Sequence, residues 1–300
     1  MEGDKMVKYI CYNWMPAIAK HVIDLPENFY TAAGTSRMHD SKMMNPLEVR
    51  DGEIVFVKTD FIIQNIFQQD VLSKIFRRFN LITGISSYQI GKDYGYPGID
   101  SINNYKILLD HPNLNKWICT NPPDIASDKI IPIPIGFEEP DRPGGNQEFL
   151  ERMQKERISF RDKKDMILLP YHAPGTNPKR EVLINLLKSL DFVYAVEEKQ
   201  DVEEYFKTLD QYKFVIGLEG SGPDIHRNYE TMLVGSIPIN IENVVKRVFD
   251  FHSAEAVFLK SWSDLDEKKF KQILQMEYNT DNNDKFLELE NHISLIRSLV

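Results

Sequence analysis

The stretch Tyr212 to Asn240, YKFVIGLEGSGPDIHRNYETMLVGSIPIN, holds the densest set of residues able to do chemistry. It reads as strand, glycine-containing turn, helix, glycine, strand. Gly217, Gly220 and Gly222 let the backbone turn tightly and approach a ligand. A helix opening at or near Asp224 turns free N–H groups toward an anion. His226, Arg227 and Glu230 lie within about one turn, because residues three and four apart share a helix face. On that face Arg227 can bind a diphosphate and Glu230 can accept both hydroxyls of a ribose. The same spacing also suits a solvated Arg-Glu pair on an amphipathic helix, and a lone His226 also suits a hydrogen-bonded structural role. Neither G-x-G-x-x-G nor the Gly-Lys-Ser/Thr of a P-loop occurs here, which demotes nicotinamide dinucleotides and ATP.

A second set sits in the loop YHAPGTNPKR, Tyr171 to Arg180. Gly175, Thr176 and Asn177 can donate to phosphate, and Arg180 opens the helix that follows. The alternative is a surface turn capped by Asn177 before Pro178.

Both sets need strands ending beside them. The second half supplies these in an α/β alternation: strands Met166 to Pro170, Phe192 to Val196, Phe214 to Leu218 and Ile237 to Ile241. Helices are expected over Glu181 to Leu190, Val202 to Leu209 and Asp224 to Val234, with helix or loop beyond. The first half has the same grammar. Strands are expected at Tyr9 to Tyr12, Ile54 to Lys58, Leu81 to Thr83, Trp117 to Thr120 and Ile130 to Ile135, and one amphipathic helix over Ile62 to Phe79. Pro132 and Pro134 push the last of those strands to an edge. The turn-rich EEPDRPGGNQ and a polar helix candidate, Glu148 to Arg161, separate the halves. The expected domains are 1–140 and 164–300, with a linker over 141–163 and the last helix packing back on the first domain. The fold class is α/β, two Rossmann-like domains whose parallel sheets face each other across a cleft, with ligands outside the carboxyl ends of the strands.

At 300 residues with 42% apolar and 27% charged residues, the chain is an ordinary globular one. Asp and Glu number 45 against 36 Lys and Arg, a net charge of −9 that disfavours nucleic acid and anionic lipid as partners. Cys11 and Cys119 are too few for a disulfide framework and read as packing residues. No signal-peptide region and no uninterrupted apolar run long enough to span a membrane is present, so the expectation is a soluble, cytoplasmic protein without its own anchor.

Taken as a block, Phe214, Glu219-Gly220, Asp224, His226-Arg227, Tyr229-Glu230, Gly235 and Ile237-Pro238 resemble the carboxyl-terminal motif of the exostosin-like glycosyltransferases, glycosyltransferase family 47. The likeness is clearest over about residues 165 to 262. Weaker pieces are Trp117 with Asn121 and the IPIPIGF at Ile131 to Phe137. The chain is similar to the short, anchor-less members that large algal viruses encode, for which the location would be the host cytoplasm. The resemblance implies a GT-B fold with the nucleotide-sugar in the carboxyl-terminal domain, inversion at the anomeric carbon and no obligatory metal. It adds Glu219, Gly220, Ser221 and Gly222 to Asp224, His226, Arg227 and Glu230 as donor-binding residues. UDP-sugars are the family's usual donors, with UDP-xylose placed first, and a glycan or glycoprotein is the expected acceptor. No Asp-x-Asp triplet directly follows an expected strand and no histidine pair has metal-ligand spacing, which leaves arginines, helix ends and backbone amides to meet the diphosphate charge.

Inversion requires a base for the acceptor hydroxyl. Asp60, directly after the strand IVFVKT, is the first choice; it also suits a helix N-cap. His39 and Asp40 in GTSRMHDSK and Asp93 in QIGKDYGYPG are alternatives as base or acceptor ligand. Relatives tend to carry an acidic residue where this chain has Ser86-Ser87, which leaves the base open among these residues. Tyr88, Tyr94 and Tyr96, set among glycines, can stack on sugar faces; Trp14 and Trp117 can also do so, with core packing the default for Trp117. Two rival readings use the same fold: a sugar-nucleotide hydrolase or epimerase, and a non-catalytic carbohydrate-binding protein.

Overall fold

Runs rich in Ile, Val and Phe recur between helical segments and form two parallel five-stranded sheets in the computed structural model, which describes residues 7–11, 14–23, 45–93, 101–173, 177 and 179–300. The first sheet contains β1 His21–Ile23, β2 Ile54–Lys58, β3 Phe79–Gly84, β4 Leu114–Cys119 and β5 Ile130–Pro132, in sequential order. Its registers pair Val57 with Thr83 and Thr83 with Cys119, so β2, β3 and β4 end side by side. Every residue of β3 is buried, the mark of a parallel strand covered on both faces. β5 lies at an edge, where Pro132 leaves no central ladder short of a donor.

The apolar stretch from Ile62 to Phe79 is not one helix. It divides into helices Thr59–Ile63 and Ile66–Asp70 and a 3-10 turn at Leu72–Lys74. Asn65 stands between the helices at φ 63°, a left-handed conformation that asparagine tolerates and an α-helix cannot continue through. The breaks let Phe61, Ile62, Phe67, Val71, Leu72 and Ile75 all join the core around Val55, Leu81 and Trp117. Trp117 is fully buried and its indole N–H donates to Thr83 Oγ1 at 2.9 Å, so it is a packing residue rather than a sugar platform. Cys11 and Cys119 are also buried.

The second sheet contains β6 Lys164–Leu169, β7 Val193–Ala195, β8 Tyr212–Ile216, β9 Ile237–Ile241 and β10 Val257–Leu259, ordered β7-β6-β8-β9-β10. The chain starts in the interior, steps outward to β7, then crosses back to β8. Strand order therefore reverses between β6 and β8, and in open parallel sheets ligands lodge beyond the carboxyl ends at such a reversal. The core beneath is apolar, with Ile167, Leu169, Phe214, Ile216, Ile237 and Ile239 packed together. Fully burying one such side chain contributes about 1.5–3 kcal/mol.

The chain divides into two compact units, one of Tyr12–Ile133 with Ile293–Val300, the other of Met1–Cys11 with Pro134–His292. The segment 141–163, read as a linker, contains the helix Gln147–Glu156 and falls in the second unit. Residues near Tyr9, expected as a strand, make only isolated bridges, Tyr9 to Glu288 and Cys11 to Phe137. The ties are backbone hydrogen bonds from Ile10 N to Leu287 O and from Phe137 N to Ile10 O, each 2.9 Å. Among the described residues no helix is long and apolar enough to cross a membrane.

Candidate functional site

The helix His226–Leu233 follows β8 through the turn Gly217 to Ile225. It buries Asn228, Tyr229, Thr231, Met232 and Leu233, and leaves His226, Arg227 and Glu230 partly exposed on the opposite side. Gly235, at φ 74°, ends it in the left-handed form suited to a helix stop. The turn before it is tightly set: a Cβ on Gly217 would lie 2.3 Å from Asn240 Oδ1 and 2.8 Å from Asn228 Oδ1.

Asp224 anchors that turn. Its Oδ1 accepts from Ile225 N at 2.9 Å, and its Oδ2 accepts from Ile135 N at 3.2 Å and from the Tyr229 hydroxyl. It is 4% exposed, and burial raises its carboxyl above the ordinary range. Through these internal partners Asp224 braces the turn. The helix N-cap is Ile225, which has no side chain to satisfy the first-turn N–H groups.

Two guanidinium groups meet at the β6/β8 reversal. Arg180 donates from Nε to Glu219 O at 2.8 Å and from Nη2 to Leu218 O at 3.1 Å. Asn177 Nδ2 reaches the carbonyls of Glu219 and Gly220 at 3.5 and 3.4 Å, and its Oδ1 accepts from Lys179 N. Arg227 donates from Nε to the Tyr205 hydroxyl at 3.1 Å, from Nη1 to His172 Nε2, and from Nη2 to Tyr171 O at 3.1 Å. Every one of these partners is neutral, and among the described residues neither arginine is paired with a carboxylate. Burial, then the charge of Arg227, pulls Arg180 below its ordinary value. His172 is pushed down to about 2 by burial first and then by both arginines. Two like charges with neutral partners make a locus that favours an anion.

Glu230 lies beside it. Its Oε2 accepts the Tyr205 hydroxyl at 2.7 Å, so one phenol bridges Arg227 and Glu230. Burial raises the Glu230 carboxyl, the Tyr205 bond and Arg227 oppose the rise, and Glu138 adds to it. A Cβ on Gly144 would lie 3.1 Å from Glu138 Oε2 and 3.8 Å from Glu230 Oε1, which sets these two carboxylates around one glycine. His226 Nδ1 is 2.7 Å from Gly136 O. Glu219 turns its carboxylate to Asn243 Nδ2 at 2.7 Å. Ser221 is exposed and Gly222 is buried, with Gly222 O accepting from Gly220 N at 3.1 Å.

Arg180, Arg227, Glu230, Asn177, Glu219, Gly220 and His226 therefore gather at one end of the second sheet. Gly175 and Thr176 lie outside the described residues, as do His39, Asp40, Tyr94 and Tyr96. His172, Tyr205, Glu138 and Asn243 were not among the expected site residues. His172 had a signal, its place in the loop directly after β6; Tyr205 had none, since it sits mid-helix within Val202–Leu209.

The first-unit candidates stand at the carboxyl ends of β2 and β3. Asp60 is the second residue of the helix Thr59–Ile63, whose N-cap is Lys58, so the N-cap alternative does not hold. The residue is 6% exposed, and its Oδ2 has no protein hydrogen-bond partner among the described residues. Burial raises its titration, opposed by Lys58 and the Ser86 hydroxyl. Ile85 and Asn121, which follow β3 and β4, take positive φ of 55° and 45°. Backbone strain of this kind collects at functional sites. Tyr88 is half-buried, its N–H 3.3 Å from Ser86 Oγ, and Asp93 is exposed.

Among the described residues no three His, Cys, Asp or Glu side chains gather as a metal site would need. No protein-family model matches the chain, and no curated protein matches it.

Proposed function

We propose that the chain is an inverting glycosyltransferase of the exostosin-like kind, moving a sugar from a UDP-sugar to a hydroxyl of a glycan acceptor. The observation that carries the reading is the pair Arg180 and Arg227, held by neutral partners at the strand-order reversal with Glu230 one turn from Arg227. A nucleoside diphosphate matches that set: its phosphates take the guanidinium charge, and its ribose hydroxyls donate to Glu230.

In the reaction the acceptor oxygen attacks the anomeric carbon as the bond from that carbon to the diphosphate oxygen breaks. The charge that develops on the departing UDP is met by Arg227 and Arg180, and the hydroxyl proton passes to a base, a role for which Asp60 is the candidate within its own unit. A buried carboxyl whose titration is raised is a stronger base than an exposed aspartate, which supports this role for Asp60. With the diphosphate charge met by arginines, the reaction runs without added metal.

The test is a calorimetric titration against UDP- and GDP-sugars with chelator present, UDP-xylose first, followed by product analysis with glycan acceptors. Tight binding of one UDP-sugar and transfer with inversion is the expected result. Binding of glycans with no nucleotide affinity would overturn it in favour of a carbohydrate-binding protein; release of free sugar without transfer would favour a hydrolase.

A further inference from the structure

Arginine is a donor only, so each nitrogen that holds it in place must face an acceptor. At Arg227 the acceptor on Nη1 is a histidine ring, which can fill that role in only one state. His172 Nδ1 is 2.6 Å from Pro170 O, and a carbonyl oxygen accepts only, so Nδ1 carries the proton. Nε2 then bears the lone pair that receives Arg227 Nη1–H. His172 is 8% exposed, its ring held between a backbone carbonyl and a guanidinium.

The third side of the guanidinium meets the Tyr205 hydroxyl, which accepts from Arg227 Nε and donates to Glu230 Oε2. Among the described residues this leaves Arg227 one N–H on each terminal nitrogen without a protein acceptor, two donors for the oxygens of a phosphate.

We infer that His172 and Tyr205 are positioning residues: neutral, Nδ1-protonated His172 presents Arg227 as a two-pronged phosphate receptor, and Tyr205 links that receptor to the hydroxyl-binding carboxylate Glu230. The inference rests on the nucleotide reading above and assigns distinct tasks within it. His172 serves the phosphate alone. Tyr205 serves phosphate and ribose together. Holding the side chain before the ligand arrives removes the ordering cost of a long, flexible arginine from each binding event.

The experiment compares His172→Phe, His172→Gln and Tyr205→Phe with the wild type, using inorganic pyrophosphate, uridine and UDP as probes in calorimetry. His172→Phe keeps the ring volume and removes the acceptor; it should weaken pyrophosphate and UDP about tenfold, the order of one charge-assisted hydrogen bond, with uridine unchanged. His172→Gln restores an acceptor oxygen and should recover most of the loss, and it also serves if the phenylalanine variant fails to fold. Tyr205→Phe should weaken uridine and pyrophosphate alike. In the unliganded wild type, long-range proton–nitrogen NMR should show the Nδ1–H tautomer of His172 and separate, slowly rotating Nη resonances for Arg227. Pyrophosphate affinity unchanged in both His172 variants, or an Nε2–H tautomer, would overturn the positioning role. A wild type with the expected tautomer that binds neither UDP nor pyrophosphate would overturn the nucleotide reading and leave the Arg227 geometry standing.

Discussion

Replacing Arg227 with methionine removes every donor while keeping much of the apolar stem, and its cost can be counted from the hydrogen bonds. Of the five guanidinium N–H groups, three are committed internally, to Tyr205, His172 and Tyr171 O. Among the described residues the other two have no protein acceptor, and the nucleotide reading gives them to the ligand. A hydrogen bond to a charged group contributes about 1.5–3 kcal/mol, so losing two costs about 3–6 kcal/mol. At roughly 1.4 kcal/mol per decade this is on the order of a 10²- to 10⁴-fold rise in Kd. The internal bonds are broken in free and bound protein alike and drop out of the comparison. Calorimetric titration of UDP at low ionic strength, where screening is least, measures the difference, and a cooperative thermal transition well above the assay temperature shows that the variant is folded. A loss of less than about threefold in a folded variant would refute the assignment of Arg227 as the phosphate receptor.

Three further outcomes are expected. Glu230→Gln should weaken UDP by about tenfold, the order of one charged hydrogen bond, and leave inorganic pyrophosphate binding as it was; equal losses for both probes would remove Glu230 from the ribose. Asp60 titrates above its ordinary value of 3.8 because burial disfavours its anion. The folded state therefore holds the proton after the unfolded chain has released it, and stability falls as pH climbs through that window. Asp60→Asn should accordingly raise the thermal midpoint at neutral pH, lose that gain as pH drops toward 3.8, and abolish transfer while sparing UDP binding; a gain independent of pH, or retained transfer, would count against the base. Gly217→Ala drives a methyl to within 2.3 Å of Asn240 Oδ1 and should cost about 1–3 kcal/mol in urea denaturation. An unchanged midpoint would mean the turn yields.

The α/β alternation was legible from composition and period alone, because parallel strands buried on both faces must be short apolar runs. The elements Val202–Leu209 and Ile237–Ile241 stand where periodicity and flanking residues put them. Pro132 at a sheet edge follows from its missing N–H. The helix expected over Ile62 to Phe79 failed for a reason periodicity cannot register: apolar spacing survives a kink, and only the φ of Asn65 reveals that the chain turns there.

At the site, the sequence by itself determined that Arg227 and Glu230 share a face, since three residues on a helix settle that geometry. It also placed Arg180 at the start of a helix after a strand. What only the tertiary structure decided is who holds them. Arg227 meets Tyr205 across 22 residues and His172 across 55, and Asp224 meets Ile135 across 89. Local propensity carries no information about such pairs, because they exist only once elements distant in sequence have packed; the His172–Arg227 pair in particular needs β6 and β8 laid side by side with their loops at one end of the sheet.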